Sequence, residues 1–170
     1  MKHAILLTVA AALLAAGCGS AAAGGGPRND PAPLPAALAR CPSGAPLAVN
    51  RGISTTPFVH PGAKLLRLCH YAGPLTERRP RLVRARLVRN GATIAALIRR
   101  LDSLRRVTGG PYPCPTDDGN EILLVFGYSG RQPQRVIVEL SGCRFATNGR
   151  DSRWTTASFR SKLLALVSHG

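Results

Sequence analysis

The sequence predicts an α+β domain, a small disulfide-stabilised antiparallel sheet with two packed helices. Three observations lead there. Four cysteines, Cys41, Cys69, Cys114 and Cys143, follow an Ala/Gly/Pro-rich stretch. One helical-period apolar stripe stands between strand-like runs. Strand-like runs separated by turn residues then precede a second helical pattern near the C-terminus.

Taken in order, Cys41 to Gly62 carries Pro42, Pro46, Pro57 and Pro61 and reads as loop or sheet edge. Lys64 to Tyr71 (KLLRLCHY) is a short strand, ended by Ala72-Gly73-Pro74. Arg81 to Arg89 (RLVRARLVR) fits a strand or an early helical turn, and strand is preferred. Asn90-Gly91 opens a helix whose Ile94, Leu97, Ile98, Leu101 and Leu104 recur on one face, with Gly109-Gly110-Pro111 as its stop. On that helix Asp102 and Arg106 are spaced for an i,i+4 ion pair. Glu121 to Tyr128 (EILLVFGY) is nearly all apolar, as a central strand covered on both faces would be. Ser129 to Pro133 is a turn, and Gln134 to Leu140 alternates as the partner strand. Arg144 to Thr147 and Arg150 to Trp154 flank Asn148-Gly149 as a second hairpin. Thr156 to Val167 is a helix with Phe159, Leu163, Leu166 and Val167 inward.

The N-terminus bears on function first. Met1-Lys2-His3 is a short positive region, and Ala4 to Ala16 is an uncharged apolar run of 13 residues. A membrane-spanning helix needs about 20 apolar residues, so the run fits the core of a secretory signal instead. It ends in Leu14-Ala15-Ala16-Gly17-Cys18. With that ending the chain resembles bacterial lipoproteins, whose signal peptidase cuts before a cysteine that carries diacylglycerol. The resemblance implies a signal peptide over residues 1–17, lipidation of Cys18, and an extracytoplasmic protein anchored to the bacterial cell membrane. Residues 18–40 would form a flexible linker, and 41–170 a single domain. Two acyl chains give stable attachment, at ~0.8 kcal/mol per buried CH2.

That compartment permits oxidation, so the four later cysteines are disulfide candidates with three possible connectivities. Nearest-neighbour pairing, Cys41–Cys69 and Cys114–Cys143, closes two loops of similar length, each worth roughly 3–4 kcal/mol in the loop-entropy account. The spacing offers no zinc-type pair.

Charge is the other strong signal. With 23 Lys+Arg against 8 Asp+Glu, the formal net charge is +15. Such an excess ordinarily raises nucleic acid; an extracytoplasmic address excludes it as the expected partner. Ten arginines lie between Glu77 and Arg106 against two acids, Glu77 and Asp102. Arg84, Arg86, Arg99 and Arg106 are taken as the candidate basic face. Its expected partners are anionic lipid headgroups, a phosphate-bearing wall polymer or an acidic protein.

Catalytic signals are weak, and neither an enzyme nor a cofactor or metal is expected. Gly127-Tyr128-Ser129-Gly130 lacks the spacing and the following helix of a nucleophile elbow. His60 and His70 have no acidic residue at useful spacing. Asp117-Asp118-Gly119-Asn120-Glu121 reads as a turn rather than a calcium loop.

Two further resemblances cover the domain. CHYAG from Cys69, the amphipathic helix, CPTDDG from Cys114, and V-x-V-E-L-S-G-C-R-x-x-x-N-G ending at Gly149 are similar to a set of uncharacterised, exported, mostly actinobacterial proteins. This implies a shared fold and export. The order helix, Cys-Pro, strand hairpin, Cys also resembles the secreted subtilisin-inhibitor-like proteins. That resemblance implies an alternative function, serine protease inhibition, with Thr116–Asp117 as the reactive bond. The leading expectation is a non-enzymatic binding module.

Overall fold

A computed structural model describes residues 36–44, 57–73, 80–108 and 111–169. All of them fall in one compact unit, Pro33–Gly170. The signal segment, Cys18 and most of the expected linker lie outside the described residues. In chain order the elements are α1 (Ala36–Ala39), β1 (Leu65–Ala72), β2 (Arg81–Val88), α2 (Gly91–Asp102), β3 (Glu121–Gly127), β4 (Gln134–Glu139), β5 (Phe145–Thr147), β6 (Ser152–Trp154) and α3 (Ala157–Ser168). The strands form one six-stranded sheet ordered β2-β1-β3-β4-β5-β6. Every neighbouring pair is antiparallel.

The apolar run of β3 explains its central position. Ile122, Leu124 and Phe126 join the core under α2 and α3. Leu123 and Val125 point to the other face, where they meet Leu38, Cys69, Tyr71 and Ile137. A strand covered on both faces has no side that polar residues would favour. β2 is the strand preferred from sequence. It lies at the edge, largely exposed, and its pairing with β1 shifts register between His70 and Tyr71.

Both long helices cover the same face. Asn90 caps α2, its side chain accepting from the Thr93 amide at 2.9 Å. Ile94, Ile98 and Leu101 of α2 are buried, as the stripe predicts. The helix stops at Asp102, well before Gly109. Tertiary contacts end it: Val59 donates its amide to Asp102 Oδ1 at 3.1 Å. The chain beyond then pairs with β6, Trp154 N donating to Arg105 O at 2.8 Å and Val107 N to Ser152 O at 2.9 Å. The expected Asp102–Arg106 pair is replaced by Arg106 Nε to Asp151 Oδ2 at 3.2 Å. α3 starts from β6 behind the N-cap Thr156, buries Phe159, Leu163 and Val167, and ends against β2.

Segments read as irregular contribute core. Phe58 and Val59 are fully buried. Phe58 O accepts from Gln134 Nε2 at 2.8 Å and Asn148 Nδ2 at 2.9 Å, so two distant hairpins hold this loop. The stretch read as linker up to residue 40 ends in α1, whose Leu38 is 1% exposed. Arg67 secures it by donating to Leu38 O at 2.9 Å and Ala39 O at 3.0 Å. Leu38 sits directly over Gly127, where a Cβ would collide with its side chain. Glycine there permits the close approach.

The disulfides are Cys41–Cys69, Cα atoms 5.7 Å apart, and Cys114–Cys143, 4.7 Å apart. The first ties the α1 end to the sheet centre. The second ties the β4–β5 connection to the segment before β3.

Candidate functional site

The structure disperses the four arginines of the expected basic face. Arg84 and Arg86 lie on the helix side of β2, opposite His70 and Leu68. They reach the last carbonyls of α3: Arg86 Nη1 donates to Leu166 O at 2.5 Å and Arg84 Nη1 to Ser168 O at 3.4 Å. Cations at a helix C-terminus satisfy its orphan carbonyls and oppose its dipole. Burial, and next the Arg84 guanidinium, push the pKa of neighbouring His70 down. Arg99 is exposed on α2. Arg106 lies at the far side, on Asp151.

Asp151 anchors a buried charge cluster that the sequence reading missed. Its Oδ2 is also ion-paired with Arg153 Nη2 at 3.1 Å, the two side chains being 6% and 8% exposed. Arg153 further donates to Leu104 O at 3.1 Å and lies over the Phe58 ring.

Around the second disulfide the chain builds a rigid exposed edge. Pro113 to Asp118 are exposed and precede β3 without regular structure. Ser141 Oγ donates to Asp117 Oδ1 at 2.5 Å, and Asp118 N donates to Ser141 Oγ at 3.2 Å. Gly119 N donates to Asp117 Oδ1 at 2.9 Å and Asn120 N to Asp118 Oδ1 at 3.0 Å. The acidic run is thus two successive Asx turns, as its composition suggests. Thr116 is exposed in this edge, whereas the Asp117 carboxylate is turned onto Ser141.

Beside that edge lies a cleft of about 500 Å³, bounded by Tyr112, the disulfide, Arg144, Trp154, Thr155 and Arg160. Arg144 has φ 61°, unusual for a residue with a Cβ. Its amide donates to Ser141 O at 3.2 Å, and its carbonyl accepts both the amide and the hydroxyl of Thr155, at 3.1 and 2.5 Å. The Thr155 hydroxyl in turn receives Arg160 Nη1 at 2.9 Å, and Thr155 O receives the same atom at 3.1 Å. One threonine therefore holds the backbone of Arg144 and the side chain of Arg160. Burial, and then the Arg144 charge, lower the pKa of Arg160. Tyr112, Phe145 and Trp154 form an edge-to-face trio, Tyr112 and Trp154 having centroids 5.1 Å apart.

On the sheet face away from α2 and α3, Glu121 stands opposite Glu139 on β4 and Tyr71 on β1. Burial first, then Glu139 and Asp117, push the Glu121 carboxyl up to about 7. Glu139 is also raised, chiefly by burial, although its Oε2 accepts Phe145 N at 3.0 Å.

Arg144 and Arg160 lie outside the arginine run, and nothing local in the sequence joins them. The only cue is the turn chemistry of Gly142-Cys143-Arg144 beside the expected hairpin. Comparison of the chain with protein-family models, curated proteins and solved structures returns no match.

Proposed function

We propose that the chain is a membrane-anchored extracytoplasmic lipoprotein, lipidated at Cys18, whose domain is a non-enzymatic module that binds an anionic surface. One observation carries the contact: the outer side of the helical layer is cationic. Arg99, Arg100 and Lys162 are exposed there, and the one acid within α2 and α3, Asp102, already accepts the Val59 amide. A shallow groove between the helices, with Leu97, Leu163 and Leu166 in it, is bordered by Arg100 and Lys162. Arg84 adds charge where α3 ends. Seventeen residues separate Cys18 from Ala36, a tether of at most about 60 Å. The membrane that holds the anchor is therefore the nearest anionic surface, at ~1 kcal/mol per basic residue close to it.

Residues 33–170 should bind phosphatidylglycerol-containing vesicles and release them as salt rises. Arg100→Gln should weaken binding by roughly fivefold, the equivalent of ~1 kcal/mol. Equal binding to neutral vesicles, or no response to salt, would reject the reading.

A second reading, protease inhibition, is favoured by the exposed and braced edge from Pro113 to Asp118. A subtilisin-type protease is then expected to lose activity stoichiometrically, with slow cleavage between Thr116 and Asp117. Plain digestion of the domain excludes it.

A further inference from the structure

We propose that the cleft beside Cys114–Cys143 is a binding site for a phosphorylated sugar. It is separate from the helical face, and three features converge on it. Arg144 and Arg160 both line this cleft, and the Arg144 charge helps to lower the pKa of Arg160 after burial. Among the described residues, neither is paired with a carboxylate. Two neighbouring guanidinium groups without an acid repel one another, and a phosphate anion, monoester or diester, relieves that repulsion through fork-shaped hydrogen bonds.

The second feature is rigidity. Arg144 holds a left-handed backbone conformation that is uncommon for a residue with a Cβ, and it is kept there by the bonds to Ser141 and Thr155. Thr155 also grips Arg160, so the entry to α3 and the post-disulfide turn are linked through one side chain. The guanidinium of Arg160 is thereby a pre-set donor, which loses little freedom when an anion arrives, and that of Arg144 extends from a fixed backbone.

The third feature is the wall. Tyr112 and Trp154, both partly exposed, line the cleft together with Pro113 and Pro115. Aromatic and proline surfaces suit the C–H faces of a sugar ring, and a few polar groups then set its orientation. A volume of about 500 Å³ holds one hexose with its phosphate. The ligand arises either as a free sugar monoester or as a phosphodiester-linked unit of a surface polymer, and the chemistry recognised is the same.

The chain contains one tryptophan, Trp154, so its emission reports on this wall alone. The full-length protein in a non-ionic detergent is titrated with α-glucose 1-phosphate, its methyl phosphodiester, glucose and inorganic phosphate, following emission and heat. Saturable binding of the monoester is expected, with glucose and phosphate each at least about tenfold weaker. A diester that binds as well as the monoester assigns the ligand to a polymer; a much weaker diester assigns it to a free metabolite. Arg144→Gln, on an exposed side chain, should weaken monoester binding by about tenfold, and Arg131→Gln on the β3–β4 turn should leave it unchanged. Arg160→Lys, which keeps the charge but not the fork, should give an intermediate loss of monoester binding. No saturable signal up to about 10 mM, equal response to glucose, or full binding by Arg144→Gln would overturn the proposal. None of these results depends on vesicle binding by the helical face.

Discussion

Asp151→Asn is expected to destabilise the domain by about 3–5 kcal/mol. The substitution keeps the shape and removes only the charge. In the native protein Asp151 Oδ2 forms an ion pair with Arg153 and accepts a hydrogen bond from Arg106, while Oδ1 takes the Ser152 amide at 2.9 Å. Arg153 is buried against Phe58 and has one further carbonyl partner, Leu104. With the carboxylate gone, a guanidinium would remain in the interior without a counter-charge, and desolvation of an unpaired ion is the dominant cost. The pair itself contributes far less than its loss costs. Asp151→Asn combined with Arg153→Met should therefore recover most of the stability, giving a strong coupling in a double-mutant cycle. Urea unfolding of residues 33–170 measures both. A single-variant loss below about 1 kcal/mol would show that water reaches and screens the cluster.

Alkalinity should weaken the same domain through Glu121. Its carboxyl has a folded pKa of about 7, against an ordinary value of 4.5. Burial is the main cause; Glu139 from β4 and Asp117 from the preceding loop add to it. Tyr71 from β1 completes the surroundings, with its hydroxyl donating to Pro42 O at 2.9 Å. Burial, then Glu121, hold that tyrosine up to about 12, against a smaller opposing influence from Arg135. Among the described residues Glu121 Oε1 is buried without a hydrogen-bond partner. A raised carboxylate pKa means that the folded state binds the proton more tightly than the unfolded state. The contribution of Glu121 is thus most favourable below pH 4.5, declines as pH rises, and is fully lost above about 7. At about 1.4 kcal/mol per unit the shift would be worth roughly 3 kcal/mol in a dry site. Glu121 keeps contact with solvent, and screening reduces this to roughly 2 kcal/mol. Glu121→Gln should consequently be more stable than wild type by about that amount at pH 8 and nearly equal to it at pH 4.5. A variant that is less stable at pH 8 would contradict this assignment.

The helix of Ile94, Ile98 and Leu101 was legible because its period, its Asn90 cap and its apolar face are carried by residues within a few positions of one another. The same holds for the uniform apolarity of β3 and the Asn148-Gly149 turn, where Asn148 Oδ1 receives the Arg150 and Asp151 amides at 2.9 and 2.8 Å. Phe58, Val59 and Leu38 were not legible as core. Their burial depends on Gln134, Asn148 and Arg67, which are remote in sequence from them. The expected stop at Gly109 failed for a similar reason: bonds to Val59 and β6 redirected the chain earlier than any local breaker.

The charge excess shows the same division. Composition showed that the chain is strongly basic and that arginine crowds residues 78–106. Position in the fold decided what each arginine does. Arg84 and Arg86 close the end of a helix some eighty residues away, and Arg106 joins Asp151 across 45 residues. Arg144 and Arg160 come together through a threonine that belongs to neither turn nor helix. Periodicity, caps and turns express interactions among near neighbours, so fold class and most elements could be read in order. A charged side chain's role depends on which distant donor or acceptor the closed sheet brings to it, and that is set only when the long-range contacts form.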